Sequence, residues 1–159
     1  MDLKRIMDGF AAEAGLAESL PADDANGYTL EIDGMAVSFR EASEGLELLT
    51  TAEVGDLPDE GAEQVYRLLM EAMFRDGRSG GTIFSLEPGT KRIWAHRRDF
   101  LVKMDCEGFQ AMLGQFIDGL EEWKRLVSGL FDLAPKLAQA AEAEKDSASM
   151  MGSDLFLRV

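Results

Sequence analysis

The chain is short of cysteine, histidine, proline and positive charge, and each shortage closes off a class of function. Cys106 is the single cysteine among 159 residues. No disulfide can form within the chain, and such sparing thiol use fits a reducing cytoplasm. His96 is the single histidine, which leaves a Cys/His metal cluster without ligands. Against 30 Asp and Glu stand 16 Lys and Arg, for a formal net charge of −14. A surface this acidic repels phosphate backbones and anionic headgroups, so neither nucleic acid nor a membrane surface is an expected partner. No apolar run approaches the ~20 residues of a membrane span. The opening Met1-Asp2-Leu3-Lys4-Arg5 lacks the apolar core of a signal peptide.

Signatures of chemistry are also missing. There is no phosphate-binding GxxxxGK[ST] loop, no dinucleotide GxGxxG, no HExxH and no GxSxG. Carboxylates are so numerous that no single pair stands out. Cys106 with His96 is the one conceivable nucleophile–base dyad, set against the simpler reading of Cys106 as a small apolar residue opening a helix. The chain reads as a non-enzymatic protein that needs no cofactor or metal.

What remains is a chain with 46% hydrophobic residues, enough for a real core in one domain. Pro21, Pro58, Pro88 and Pro135 are expected between elements, none inside a helix. Leu3, Ile6, Met7, Phe10 and Ala14 form a narrow stripe at helical spacing, with Asp2 as N-cap and Gly15 as the stop. Tyr28, Leu30 and Ile32 alternate on a strand, Asp33-Gly34 is a two-residue hairpin signal, and Met35, Val37 and Phe39 line the returning strand. Glu44-Gly45 turns the chain into a third strand from Leu46 to Val54, completing a meander.

Pro58-Asp59-Glu60 is expected to open a second helix with an unusually wide apolar surface. Val65, Leu68, Leu69, Ala72 and Met73 can cover the sheet, while Tyr66, Met70 and Phe74 drift to the flank. Either the core contact is broad or this flank is a homodimer interface. A second hairpin runs from Thr82-Ile83-Phe84 through a Pro88-Gly89 turn into Lys91–Arg98. The basic residues of its return strand are read as solvated guards against edge-to-edge pairing. Phe109, Met112, Leu113, Phe116, Ile117, Leu120, Trp123, Val127 and Leu130 then hold helical spacing over about six turns, with Asp105 as N-cap. Residues 134–159 form an extension, partly helical or flexible, whose apolar end (Leu155, Phe156, Leu157, Val159) is either free or docked.

The expected fold is thus a single α+β domain over residues 1–133, in the order α-β-β-β-α-β-β-α, with an antiparallel sheet packed against helices. In this order, in its acidity, in the Leu86-Glu87-Pro88-Gly89 turn and in the closing helix around Trp123 and Leu126, the chain resembles the class I type III secretion chaperones, the CesT/Tir-chaperone family. The resemblance covers roughly residues 1–130. It implies a bacterial cytoplasmic homodimer without enzymatic activity, holding the N-terminal chaperone-binding segment of a secreted effector in extended form. Carried onto this sequence, it assigns the dimer contact to Tyr66, Met70, Phe74, Ile83 and Phe84. It assigns client contact to Leu3, Ile6 and Phe10 of the first helix and to Leu49 and Trp94, which are off-phase with their buried neighbours. An adaptor using the same fold to bind a folded partner is the alternative. Residues 1–60 carry 15 acids and 3 bases, so the acidity gathers beside the expected client surface and would help keep sticky segments in solution.

Overall fold

The computed structural model describes residues 2–15, 20–24, 26–74 and 79–153, with 131–153 described by backbone alone. Eight principal elements follow one another: α1 (Leu3–Glu13), β1 (Tyr28–Ile32), β2 (Met35–Ala42), β3 (Glu47–Asp56), α2 (Ala62–Met73), β4 (Ile83–Leu86), β5 (Arg92–Phe100) and α3 (Cys106–Ser153). The expected α+β order is observed. All five strands join one antiparallel sheet in the order β1-β2-β3-β5-β4.

Local chemistry explains the boundaries. The Asp2 carboxylate accepts from the Arg5 N–H at 2.8 Å and caps α1. Asp33 and Gly34 both take positive φ, 51° and 75°, as the mirror-image turn between β1 and β2 requires. Gly89, at φ 78°, supplies the left-handed residue of the β4–β5 turn. The Asp105 carboxylate accepts from the Gly108 N–H at 2.8 Å at the start of α3.

One side of the sheet is buried and the other is not. Val37, Phe39, Leu48, Ala52, Ile93 and Ala95 alternate onto the helix-covered face, and α1, α2 and α3 contribute Ile6, Val65 and Phe109 to the same core. Phe109 is fully buried and meets Phe39 and Phe10 edge-on, with ring centroids 5.3 and 5.5 Å apart. Phe84 of β4 packs edge-on against Trp123 of α3 at 5.0 Å. The opposite face, with Thr51, Leu49, Trp94 and His96, is half-exposed.

Three expectations are corrected. The second helix starts at Ala62, not at Pro58, because Gly61 takes φ 80° and Asp59 is engaged by the Lys91 ammonium across the domain. β5 is flanked by β3 along its length and by β4 from Ile93 to His96, so it is no free edge strand, and of its basic residues Arg97 and Arg98 lie beyond the cover of β4. Both neutralise carboxylates: Arg98 meets Glu47 of β3 at 2.9 Å, and half-buried Arg97 grips Asp99 with both Nε and Nη2. Pro135 lies inside α3, where it lacks the N–H that would close an intrahelical hydrogen bond. The stretch from Ser147 is helical as far as Ser153. The apolar end at Leu155, Phe156, Leu157 and Val159 falls outside the described residues.

Candidate protein-binding surfaces

The α2 helix shows how the principal exposed surface arises. Val65, Leu69 and Ala72 recur at helical spacing and are consumed by the core. Tyr66, Met70 and Phe74 sit about a hundred degrees further round and remain 44%, 65% and 70% exposed. Beside them β4 sends Ile83 outward at 55% exposure, with Leu86 at 39%. Between α2 and β4 runs a shallow groove of about 190 Å³, floored by Leu69, Met73 and Ile93 and rimmed by Tyr66, Met70 and Leu86. Tyr66, Met70 and Leu86 thus rim one groove, while Phe74 at the end of α2 and Ile83 on the open-face side of β4 add further exposed apolar area, more than the scattered exposure normal for a soluble domain.

Phe84 does not belong to that surface. Strand alternation turns it toward the helices, where it is 8% exposed against Trp123, so it supports the groove from beneath. Its N–H points off the sheet edge and donates to Met73 Sδ at 3.2 Å. That bond takes up a backbone donor that an edge strand would otherwise offer to a neighbour.

The first-helix residues divide. Leu3 and Ile6 are 1% exposed and belong to the core with Met7 and Ala11, so they form no surface patch. The reason is arithmetic. The helix carries one narrow apolar stripe, and covering the sheet and α3 uses all of it. Glu41 Oε1 accepts the Leu3 N–H at 2.8 Å and pins the helix start to β2. Phe10 is half-buried, edge-on to Phe109. Leu49 and Trp94 are half-exposed on the open sheet face, Leu49 between Arg40 and Arg98, Trp94 between Glu53 and Ser85.

A second apolar cluster went unrecognised in the sequence. Leu46, Phe100 and Val102 are 55%, 71% and 55% exposed at one end of β3 and β5, where the Leu101 N–H donates to the Leu46 carbonyl at 3.0 Å. The available signal was that Phe100 and Val102 flank Leu101, which is fully buried.

Reactive groups are dispersed. His96 Nε2 lies 2.5 Å from Ser85 Oγ on the open sheet face, whereas Cys106 neighbours Gly9 of α1 and Gln110 on the helix side. The two do not form a dyad. Burial, and then Arg98, hold the His96 pKa below its ordinary value. Burial, then the hydrogen bond and charge of Glu13, push the Cys106 thiol up, away from a reactive thiolate. Among the described residues no group of three or more His, Cys, Asp or Glu is placed to hold a metal ion, and no helix is long and apolar enough to cross a membrane.

Exposed apolar area of this extent is the kind of surface a protein-binding domain presents. The model of the Tir chaperone protein (CesT) family matches residues 5–124, and the chain belongs to that family, the class I type III secretion chaperones. No curated protein matches the chain. Among solved structures, a chain of the ExsC–ExsE complex is 26% identical with a TM-score of 0.66, over 80% of this chain and 97% of its own. A chain of the Yersinia pestis type III secretion chaperone SycH in complex with a stable fragment of YscM2 is 19% identical, TM-score 0.58, over 76% and 98%. One from the heterodimeric ExoU–SpcU complex of the Pseudomonas aeruginosa type III secretion system is 18% identical, TM-score 0.58, over 78% and 96%. These last two likenesses are of fold alone.

Proposed function

We propose that the chain acts as a homodimer in the bacterial cytoplasm, holding the N-terminal segment of a type III secreted effector extended, soluble and ready for export, without catalysing a reaction. The observation that carries the dimer is the exposure of Tyr66, Met70 and Phe74 on α2 and of Ile83 on β4, with Tyr66 and Met70 lining the groove that Phe84 supports. An isologous contact would bury the same flank on both subunits. Leu49, Trp94 and the exposed rim of Phe10 are the residues assigned to client contact; Leu3 and Ile6 are withdrawn from that role by their burial. Residues 1–133 form the chaperone domain and 134–159 an extension beyond the family-matched region.

The physical case is one of matching. An effector segment kept unfolded exposes apolar side chains and unpaired backbone, and it gains both kinds of contact from a sheet with open apolar positions. Ordering that segment costs entropy, so a wide surface is needed for tight binding. A net charge of −14 keeps the loaded complex from aggregating.

The test is recovery of the tagged chain from a bacterium with an active type III system. An effector should co-purify, and the complex should leave its N-terminal segment sensitive to protease everywhere except where the chaperone covers it. A recovered partner that stays compactly folded and needs no N-terminal segment would refute the extended-segment reading in favour of an adaptor.

A further inference from the structure

A groove of about 580 Å³ runs between α2 and α3, well above the 190 Å³ of the one beside β4. Leu68, Leu126 and Leu130 line it while half-buried against the core, and Gly129 leaves room between them. Exposed charges stand at its rim. Glu63 and Arg67 pair with each other at 3.1 Å, whereas among the described residues Glu71 and Arg125 join no ion pair. Helical geometry sets Leu68 and Glu71 on the side of α2 away from Tyr66 and Met70, so the groove is separate from the proposed dimer flank.

The α3 helix continues far past this groove and past residue 124, where the family match ends. From Leu130 to Ser153 it advances about 35 Å. The residues that follow, Asp154-Leu155-Phe156-Leu157-Arg158-Val159, set an apolar run between an acid and a base. A groove with apolar walls, one unengaged anion and one unengaged cation is complementary to a segment of that composition. Tethered to Ser153, Leu155 to Arg158 stay within about 18 Å of it even when fully extended. They fall well short of the groove on their own chain, and only the groove of a second copy is open to them.

We infer that Leu155, Phe156 and Leu157 of one subunit dock in the α2–α3 groove of a second copy, with Phe156 seated over Gly129 and Arg158 against Glu71. The dimensions agree: from Gln64 to Glu71 the α2 wall is about 10 Å long, the length of about three extended residues. Gly129 suits its part, since a side chain there would meet nothing within 4 Å. The inference rests on the homodimer proposed above, to which it adds a second contact, and is independent of the client. In a two-fold pair the exchange is reciprocal, so two tails tie the two subunits. Pairing through the α2 flank holds each tail near its groove at high effective concentration, which lets a short segment bind.

The probe is the full chain with the photoreactive p-benzoylphenylalanine in place of Phe156, mixed with an equal amount of the same chain labelled with nitrogen-15. After irradiation, mass spectrometry should find adducts to the segments around Leu68 or Leu126–Leu130 that join a light chain to a heavy one. Gly129→Trp, which fills the groove and improves the helix propensity of its position, should cut that yield about tenfold. Glu71→Arg, at an exposed site, should cut it about threefold, and Arg158→Glu in the same chain should restore it. Adducts within one chain only, adducts confined to other surfaces, no adducts at all, or a yield untouched by both Gly129→Trp and Glu71→Arg overturn the inference. Sedimentation of the same samples separates the two readings: a dimer without groove adducts leaves the homodimer standing, whereas a monomer refutes the homodimer and this contact with it.

Discussion

Replacing both Met70 and Phe74 with Asp should convert the protein to monomers. At 65% and 70% exposure these two side chains hold most of their apolar area in reserve. Fully burying a side chain of this kind is worth roughly 1.5–3 kcal/mol, so the exposed fractions correspond to about 1–2 kcal/mol each on association. In a two-fold contact every substitution occurs twice, giving a loss of about 4–8 kcal/mol before the cost of desolvating four carboxylates. Each 1.4 kcal/mol is a factor of ten, so the dimer dissociation constant should rise by roughly a thousandfold or more. Sedimentation velocity over a broad dilution series reads the change directly. Far-ultraviolet circular dichroism checks the fold, which should persist because neither residue belongs to the core. A folded double variant that sediments as wild-type dimer would refute the argument that this flank joins two copies.

Two further outcomes follow from the same geometry. Ile6→Asp should destabilise the whole domain by about 3–5 kcal/mol in urea denaturation, since it buries a charge with no partner; a stable variant that merely loses its client would contradict the core role of α1. His96 has a folded pKa below its ordinary value, so the unfolded chain binds its proton first. Stability attributable to it is full above the ordinary histidine pKa of about 6.5 and falls as pH drops below that value. Thermal melts of His96→Gln should show a shallower loss of stability over that acid interval than wild type, and parallel curves would remove His96 as the cause.

Much of this fold could be read from short-range chemistry. The Asp2 and Asp105 caps, the Asp33-Gly34 turn and the long stripe from Phe109 to Val127 each depend on a few neighbouring residues, and the structure shows all of them. The surplus width of α2 was legible for the same reason: Tyr66, Met70 and Phe74 sit off the stripe by helical geometry alone. What escaped depends on partners distant in the chain. Ile6 and Phe10 share one periodicity, and only packing on Phe109 and the sheet decides which of them is buried. The cations of β5 looked like guards of a free edge strand because nothing local announces that β3 flanks the whole of that strand and β4 its first half. The cluster of Leu46, Phe100 and Val102 is assembled by the β3–β5 pairing, across residues far apart in sequence.

That pairing also sets the order in which the protein can form. β1 with β2, β2 with β3, and β4 with β5 are neighbours joined by short turns, and each hairpin closes a small loop. The β3–β5 ladder is the single non-local seam in the sheet, and α2 and β4 lie within the loop it closes. Loop closure is the slow, entropically costly event in a sheet protein. A nascent chain can therefore hold two separate hairpin units, but the helix-facing core spanning both stays incomplete until β5 has been made and has found β3. Until that moment this chaperone is itself a chain with an unpaired edge and uncovered apolar strands, in the same physical condition as the segments its family protects.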